Sequence, residues 1–162
     1  MSEADFIDVL TVEEVRDIEV EIAHLPDRES AAIEALQIVQ AKRGWVSDAS
    51  LGAIARLLGM SPAALDSIAT FYNLIFRQPV GRHVIMMCDS VSCYVMGCEK
   101  VHQAIVDELG VQPGQTTDDD RFTVLPIVCL GACDKAPVIM IDDELVGDLS
   151  PEDVPAVLER YQ

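Results

Sequence analysis

The chain has 162 residues, half of them apolar, with 28 acidic against 11 basic side chains and a formal net charge of -17. Such a chain can bury a core, but it would repel nucleic-acid phosphates and anionic lipid head groups, so binding to either is excluded as a first hypothesis. Acidic residues 1–8 are unlike a secretory signal, and no apolar stretch reaches the roughly 20 residues of a spanning helix. We therefore expect a cytoplasmic protein without membrane insertion.

The first half of the sequence predicts helices with clear boundaries. Thr11 and Glu14 have the spacing of a capping box, and the apolar residues after them recur at helical spacing until Pro26 ends the segment. Further helices are predicted over about 29–43 and about 48–58, each followed by a glycine that can end a helix. This part of the chain is predicted to be a helical bundle.

A fourth helix is predicted after Ser61, with Pro62 in its first turn. Together with the preceding helix it gives residues 51–70 the look of a helix-turn-helix. The second helix of this pair has no arginine or lysine before Arg77, so it lacks the groups that contact phosphates and guanine. We therefore interpret the pair as packing helices and not as a DNA reader.

Near residue 80 the pattern changes from helical to strand periodicity. Strands are predicted at 83–87, 122–128, 138–141 and 145–149, and helices at about 99–109 and after Ser150. The predicted fold is α+β, with an all-helical domain over 1–80 and an α/β domain over 81–162. Within the second domain the element order is β, α, β, β, β, α.

Four of the five cysteines fall into two pairs. Cys88 and Cys93 follow the first predicted strand, and Cys129 and Cys133 follow the second. Because consecutive strands are usually neighbours in a sheet, we expect the two loops to bring four sulfurs together. Four thiolates bind a 2Fe-2S cluster, and a structural zinc ion also accepts four cysteines. The spacing favours the cluster but leaves zinc open.

The remaining cysteine and the histidines are predicted to have ordinary roles. Cys98 is expected to be a small, semi-buried side chain without a metal, although exchange with Cys93 as a ligand is an alternative. The histidines His24, His83 and His102 are expected to be surface or packing residues, because none lies close in sequence to a cysteine pair. No side chain is a candidate catalytic acid, base or nucleophile, so the catalytic set is predicted to be empty.

The sequence resembles a known family in three stretches: FYNLIFRQPVGRHVIMMCDSVSCYVMG, PGQTTDDDRFTVLPIVCLGACDKAPVIMIDDEL and LSPEDVPAVLERY. They are similar to the E subunits of bacterial NADH-quinone oxidoreductase, respiratory complex I. The resemblance implies a thioredoxin-like ferredoxin domain behind the helical bundle. It also implies one 2Fe-2S cluster with the following ligands: Cys88, Cys93, Cys129 and Cys133. Cys98 departs from the family pattern.

The resemblance further implies a partner and a role. Members of this family bind beside the subunit that carries FMN and accepts hydride from NADH, so neither FMN nor NAD is expected on this chain. Single electrons would pass between that flavin and the cluster, within a peripheral arm on the cytoplasmic face of the inner membrane. From the residues alone, the alternative is a zinc-stapled acidic adaptor without redox function.

Overall fold

The computed structural model describes residues 9–162, so the acidic residues 1–8 lie outside the described part. The described residues form two compact units, the first ending at Pro79 and the second beginning at Val80. Each unit has an apolar core of its own. Among residues 9–162, no helix combines the length and the apolarity that crossing a bilayer requires.

The first unit is made of four helices, as the sequence predicts. They are α1 (Val12–Ile22), α2 (Ala32–Arg43), α3 (Asp48–Leu58) and α4 (Pro62–Phe71), with a short 3-10 turn at Glu29–Ala31 ahead of α2. The predicted capping box begins α1: the backbone N–H of Thr11 donates to the Glu14 carboxylate over 2.7 Å, and the N–H of Glu14 donates to the Thr11 hydroxyl over 3.2 Å. Gly44 and Gly59 end α2 and α3 with left-handed φ values of 81° and 79°.

An ion pair between buried Glu14 and exposed Arg43 ties α1 to α2. The Glu14 side chain is buried, and Arg43 Nε donates to its carboxylate over 2.7 Å. Burial opposes ionisation of Glu14, but hydrogen bonds from Arg43 and Thr11 outweigh burial and lower its pKa. Arg77, the first basic residue after α4, forms ion pairs with Asp48 and Asp66 of this unit.

The second unit is a four-stranded sheet with helices. Its elements are β1 (His83–Cys88), α5 (Val91–Val95), α6 (Cys98–Leu109), β2 (Phe122–Ile127), β3 (Ile139–Ile141), β4 (Glu144–Val146) and α7 (Val154–Leu158). The strand order is β2-β1-β3-β4, with β1 parallel to β2 and the other neighbours antiparallel. The predicted α+β class, with a helical bundle followed by an α/β domain, is therefore confirmed.

Three features of this unit differ from the prediction. The loop after β1 contains the five-residue helix α5, which the sequence pattern does not predict. The predicted strand 145–149 is wrong at its end: β4 stops at Val146 because Asp148, at φ 54°, turns its N–H to the Lys135 carbonyl over 2.7 Å. The final helix begins with a 3-10 turn at Pro151–Asp153, capped by Ser150 as predicted.

Candidate metal centre

The two cysteine loops leave the sheet side by side. Cys88 is the last residue of β1, and the register of the parallel pair sets it opposite Ile127, the last residue of β2. One further hydrogen bond, from the Asp89 N–H to the Ile127 carbonyl over 2.8 Å, holds the chains together beyond the strands. The expectation that the two strands are neighbours is therefore confirmed.

The first loop buries its cysteines. Cys88 ends a strand that is buried from Val84 onward, and Cys93 lies on the inner side of α5, where it is fully buried. Burial raises the pKa of Cys93 to about 11, and the nearby backbone of Val138 opposes this shift only in part. Without a metal, Cys93 is therefore a neutral thiol at physiological pH.

The second loop exposes its cysteines. Cys129 follows β2 by two residues, and Cys133 begins a 3-10 turn at Cys133–Lys135. Between them, Gly131 adopts a left-handed φ of 76° and donates its N–H to the Cys129 sulfur over 3.3 Å. This hydrogen bond is the main cause of a lowered pKa at Cys129.

The side chains of the two loops influence one another electrostatically. After the Gly131 N–H, the side chains of Cys133, Ser90 and Cys88 also lower the pKa of Cys129. In the first loop, Cys88 adds to the raised pKa of Cys93, whose main cause is burial. The structure thus places the four cysteines predicted from the sequence in two loops at one end of the sheet.

The donor set fits the group that the sequence motifs suggest. All five cysteines are free thiols. Within residues 9–162, no three side chains of Cys, His, Asp or Glu are grouped around one point as a single bound ion requires. A two-iron cluster takes four thiolates, two on each iron. Two pairs of free thiols in loops at the end of one sheet meet that requirement in number and chemistry.

Cys98 lies behind this set. It is the first residue of α6, it is buried, and it packs in one small cluster with Cys88 and Cys93. Burial raises its pKa, and the negative charge of Asp89 adds to the shift. Cys98 is therefore a neutral, enclosed thiol beside the first loop.

His102 also lies beside the first loop, although its place in the sequence predicts only an ordinary role. Its Nε2 atom is buried without a hydrogen-bond partner, and burial lowers the pKa of its imidazole. The ring borders a cavity of about 380 Å³ that Asp89 and Glu99 also line. The sequence gives one signal that His102 lies near the first loop: helical spacing places it one turn after Cys98 on α6.

Comparisons with known proteins agree with this geometry. The model of the family described as thioredoxin-like [2Fe-2S] ferredoxin matches residues 18–162. The E subunit of the NADH-quinone oxidoreductase of Pseudomonas aeruginosa is 52% identical over 153 residues, which cover 94% of this chain and 92% of that protein. The corresponding protein of Escherichia coli strain K12 is 50% identical with the same coverage.

A solved structure shares the fold within a longer chain. The air-oxidised NAD+-reducing [NiFe]-hydrogenase matches 82% of this chain with a TM-score of 0.64 and 25% identity. This chain spans only about a fifth of that hydrogenase chain, since the match covers 22% of it. In the hydrogenase, the fold is therefore covalently joined to further protein.

Proposed function

The chain belongs to the thioredoxin-like [2Fe-2S] ferredoxin family, and from this premise we propose that it is the electron-transfer subunit of an NADH-quinone oxidoreductase. It carries one [2Fe-2S] cluster, whose proposed ligands are Cys88, Cys93, Cys129 and Cys133. The observation that carries the proposal is the pairing of β1 with β2, which makes both cysteine loops leave the same end of one sheet. The family match agrees with the resemblance that the stretches around Cys88 to Cys93 and Cys129 to Cys133 show in the sequence.

Each loop contributes a different property to the site. A bound cluster supplies one-electron transfer. The buried thiols of the first loop, Cys88 and Cys93, exclude water from one side of the site. The exposed thiols of the second loop leave the other side open to a partner. The Gly131 N–H stabilises negative charge on the Cys129 sulfur, which favours the reduced state and raises the reduction potential.

The electrons come from a partner subunit. The sequence predicts no acid, base or nucleophile for oxidising NADH, and we propose that NAD and FMN bind only to the flavin-carrying subunit beside this chain. The position we propose for the assembly is a peripheral arm on the cytoplasmic face of the inner membrane. The chain alone should therefore not reduce ferricyanide with NADH as donor. Such activity would contradict the proposal that only the partner subunit oxidises NADH.

Metal analysis of the anaerobically purified chain tests the cofactor. We expect a red-brown protein with about two irons and two acid-labile sulfides per chain and only traces of zinc. A colourless protein with one zinc ion per chain would contradict the proposal and support the zinc-stapled adaptor. The Cys98→Ser chain is the matched control, because it removes a buried thiol of the same region that is outside the proposed ligand set.

A further inference from the structure

A small apolar cluster lies at the cysteine end of the second unit, apart from the larger core of that unit. We call it the loop core, because its residues come from both cysteine loops, the start of α6 and the segment before β3. They are the buried residues Cys88, Cys93, Cys98, Ala136 and Val138, with Leu130 and Ala132 partly buried against them. Since Cys88 and Cys93 are proposed ligands, the loop core adjoins the proposed [2Fe-2S] cluster.

Cys98 differs from every other member of the loop core. The other members are proposed ligands or have hydrocarbon side chains, whereas Cys98 is a thiol outside the ligand set, and it is only 1% exposed. Its S–H group is a weak hydrogen-bond donor that can rotate. The sulfur keeps its proton, because burial and nearby negative groups both oppose ionisation of a thiol. Cys98 therefore brings a dipole into an otherwise apolar enclosure.

The backbone holds Cys98 beside the first loop. Gly97, with a left-handed φ of 88°, joins the end of α5 to the start of α6. Its N–H donates to the Tyr94 carbonyl over 3.0 Å, and its carbonyl accepts from the Lys100 N–H over 3.2 Å. The chain thus turns between the two helices, and Cys98 packs in the same small cluster as Cys93.

A dipole at this place acts on the charge that an electron adds. A [2Fe-2S] cluster on four thiolates becomes more negative when it is reduced, and hydrogen-bond donors near its sulfurs shift its reduction potential. In an apolar enclosure each nearby dipole has a larger effect than it has in water. A donor beside the ligands therefore favours the reduced state and raises the reduction potential.

We propose that Cys98 is a positioning residue for electron transfer, whose S–H group stabilises negative charge on the sulfurs of Cys88 and Cys93 and so raises the reduction potential of the cluster. The inference rests on the proposed function and adds to it a residue outside the ligand set. Because Cys98 departs from the family pattern, the effect is expected as a property of this chain and not of the family as a whole.

Variants at Cys98 separate the donor from the volume of the side chain. In Cys98→Ala the ratio of reduced to oxidised cluster at the wild-type midpoint potential should fall about threefold, which is about 30 mV for a one-electron couple. Cys98→Ser keeps a hydroxyl donor, so its ratio should stay within about twofold of the wild-type ratio or exceed it. Redox titration of the purified chain, followed by EPR, measures both ratios.

Val101→Ala is the matched control for packing. Val101 lies one turn after Cys98 on α6 and is equally buried, but it belongs to the larger core of the unit. The change removes volume and no donor, so the reduction potential should remain that of the wild-type chain. Equal falls in Cys98→Ala and Val101→Ala would overturn the proposal. A fall in Cys98→Ser as large as that in Cys98→Ala would overturn it too, because the donor would then have no effect.

Deuterium substitution detects the S–H proton itself. The cluster-free chain is reconstituted with iron and sulfide in D₂O, reduced, and measured by ENDOR, which reports deuterons coupled to the unpaired spin. The deuteron signal should be weaker in Cys98→Ala than in the wild-type chain, whereas Val101→Ala should match the wild-type chain. Identical deuteron signals in Cys98→Ala and the wild-type chain would contradict the proposal.

The same measurements distinguish this inference from the proposed function. A reduced wild-type chain without an EPR signal would contradict the proposed cluster and, with it, the role of Cys98. A normal wild-type signal together with an unchanged potential in Cys98→Ala would contradict the role of Cys98 alone. Loss of iron in both Cys98→Ala and Cys98→Ser would identify Cys98 as a ligand and would also overturn the inference.

Discussion

The two cysteine loops leave the same end of one sheet but enclose their sulfurs to different degrees. In the first loop Cys88 and Cys93 are buried, and Cys93 is held on a short helix. In the second loop Cys129 and Cys133 are exposed. The difference indicates a division between a closed side, which fixes the geometry of the site, and an open side, through which an electron enters or leaves.

The same difference governs the chemistry of the thiols. Burial raises the pKa of Cys93 to about 11, whereas the N–H of Gly131 lowers the pKa of Cys129. The thiolate is the form that binds a metal. We therefore expect the open loop to offer the first ligand to incoming iron and the closed loop to complete the site.

Alkylation of the cluster-free chain should show the largest contrast between the loops. A thiol ionises as the pH rises through its pKa, so at pH 8 the raised pKa of Cys93 leaves only about one molecule in a thousand as thiolate. Cys129, with its lowered pKa, should react with iodoacetamide at least about a hundredfold faster. Peptide mass spectrometry at several pH values measures both rates; equal rates at pH 8 in a folded chain would contradict the assignment of the closed and open sides.

The next largest effect is expected when a proposed ligand is removed from the closed side. Cys93→Ser should lower the iron content of the purified chain at least about tenfold, because burial opposes ionisation of the serine hydroxyl and keeps a water ligand out of this position. Cys98→Ser should keep the wild-type iron content. Iron retained in Cys93→Ser but lost in the double variant with Cys98→Ser would show that Cys98 replaces Cys93 as a ligand.

Removal of a ligand from the open side should be milder. In Cys129→Ser the serine oxygen or water can reach the metal at an exposed position, so we expect about half of the wild-type iron and a changed EPR spectrum. Iron analysis and EPR of the reduced variant measure both effects. An iron content as low as that of Cys93→Ser would remove the contrast between the two sides.

The smallest expected effect is electrostatic. Lys135 lies two residues after Cys133 and is exposed, so Lys135→Glu changes the charge beside the open side by two units while leaving the ligands in place. The added negative charge disfavours the reduced cluster, and we expect the reduction potential to fall on the order of 30 mV. Redox titration followed by EPR measures the shift, with Lys42→Glu in the helical unit as control; a rise in potential would contradict the sign.

Much of this fold could be predicted from local sequence signals. The capping box of Thr11 and Glu14 and the prolines and glycines between the helices mark boundaries by backbone chemistry that acts over a few residues. The pairing of β1 with β2 follows from their order along the chain. These two kinds of signal suffice to bring the cysteine loops together.

The differences from prediction have physical causes of another kind. Helix α5 has only five residues, too few for a helical period to show. The large apolar side chains of α5 are exposed, whereas those of an amphipathic helix usually face the core. The apolar pattern of this segment therefore does not predict a helix. Burial of Cys93 and the position of His102 depend on packing between segments, as does the pair of Glu14 with Arg43, 29 residues away. No local pattern encodes such contacts.

The central claim is that both loops present their thiolates to one pair of irons. Mössbauer spectroscopy of the chain loaded with ⁵⁷Fe, combined with EPR spin counting after reduction by dithionite, tests it most directly. We expect two tetrahedral, sulfur-ligated ferric ions with no net spin in the oxidised chain, and about one unpaired spin per two irons in the reduced chain. A mononuclear iron spectrum, or reduced protein with iron but no spin, would contradict it.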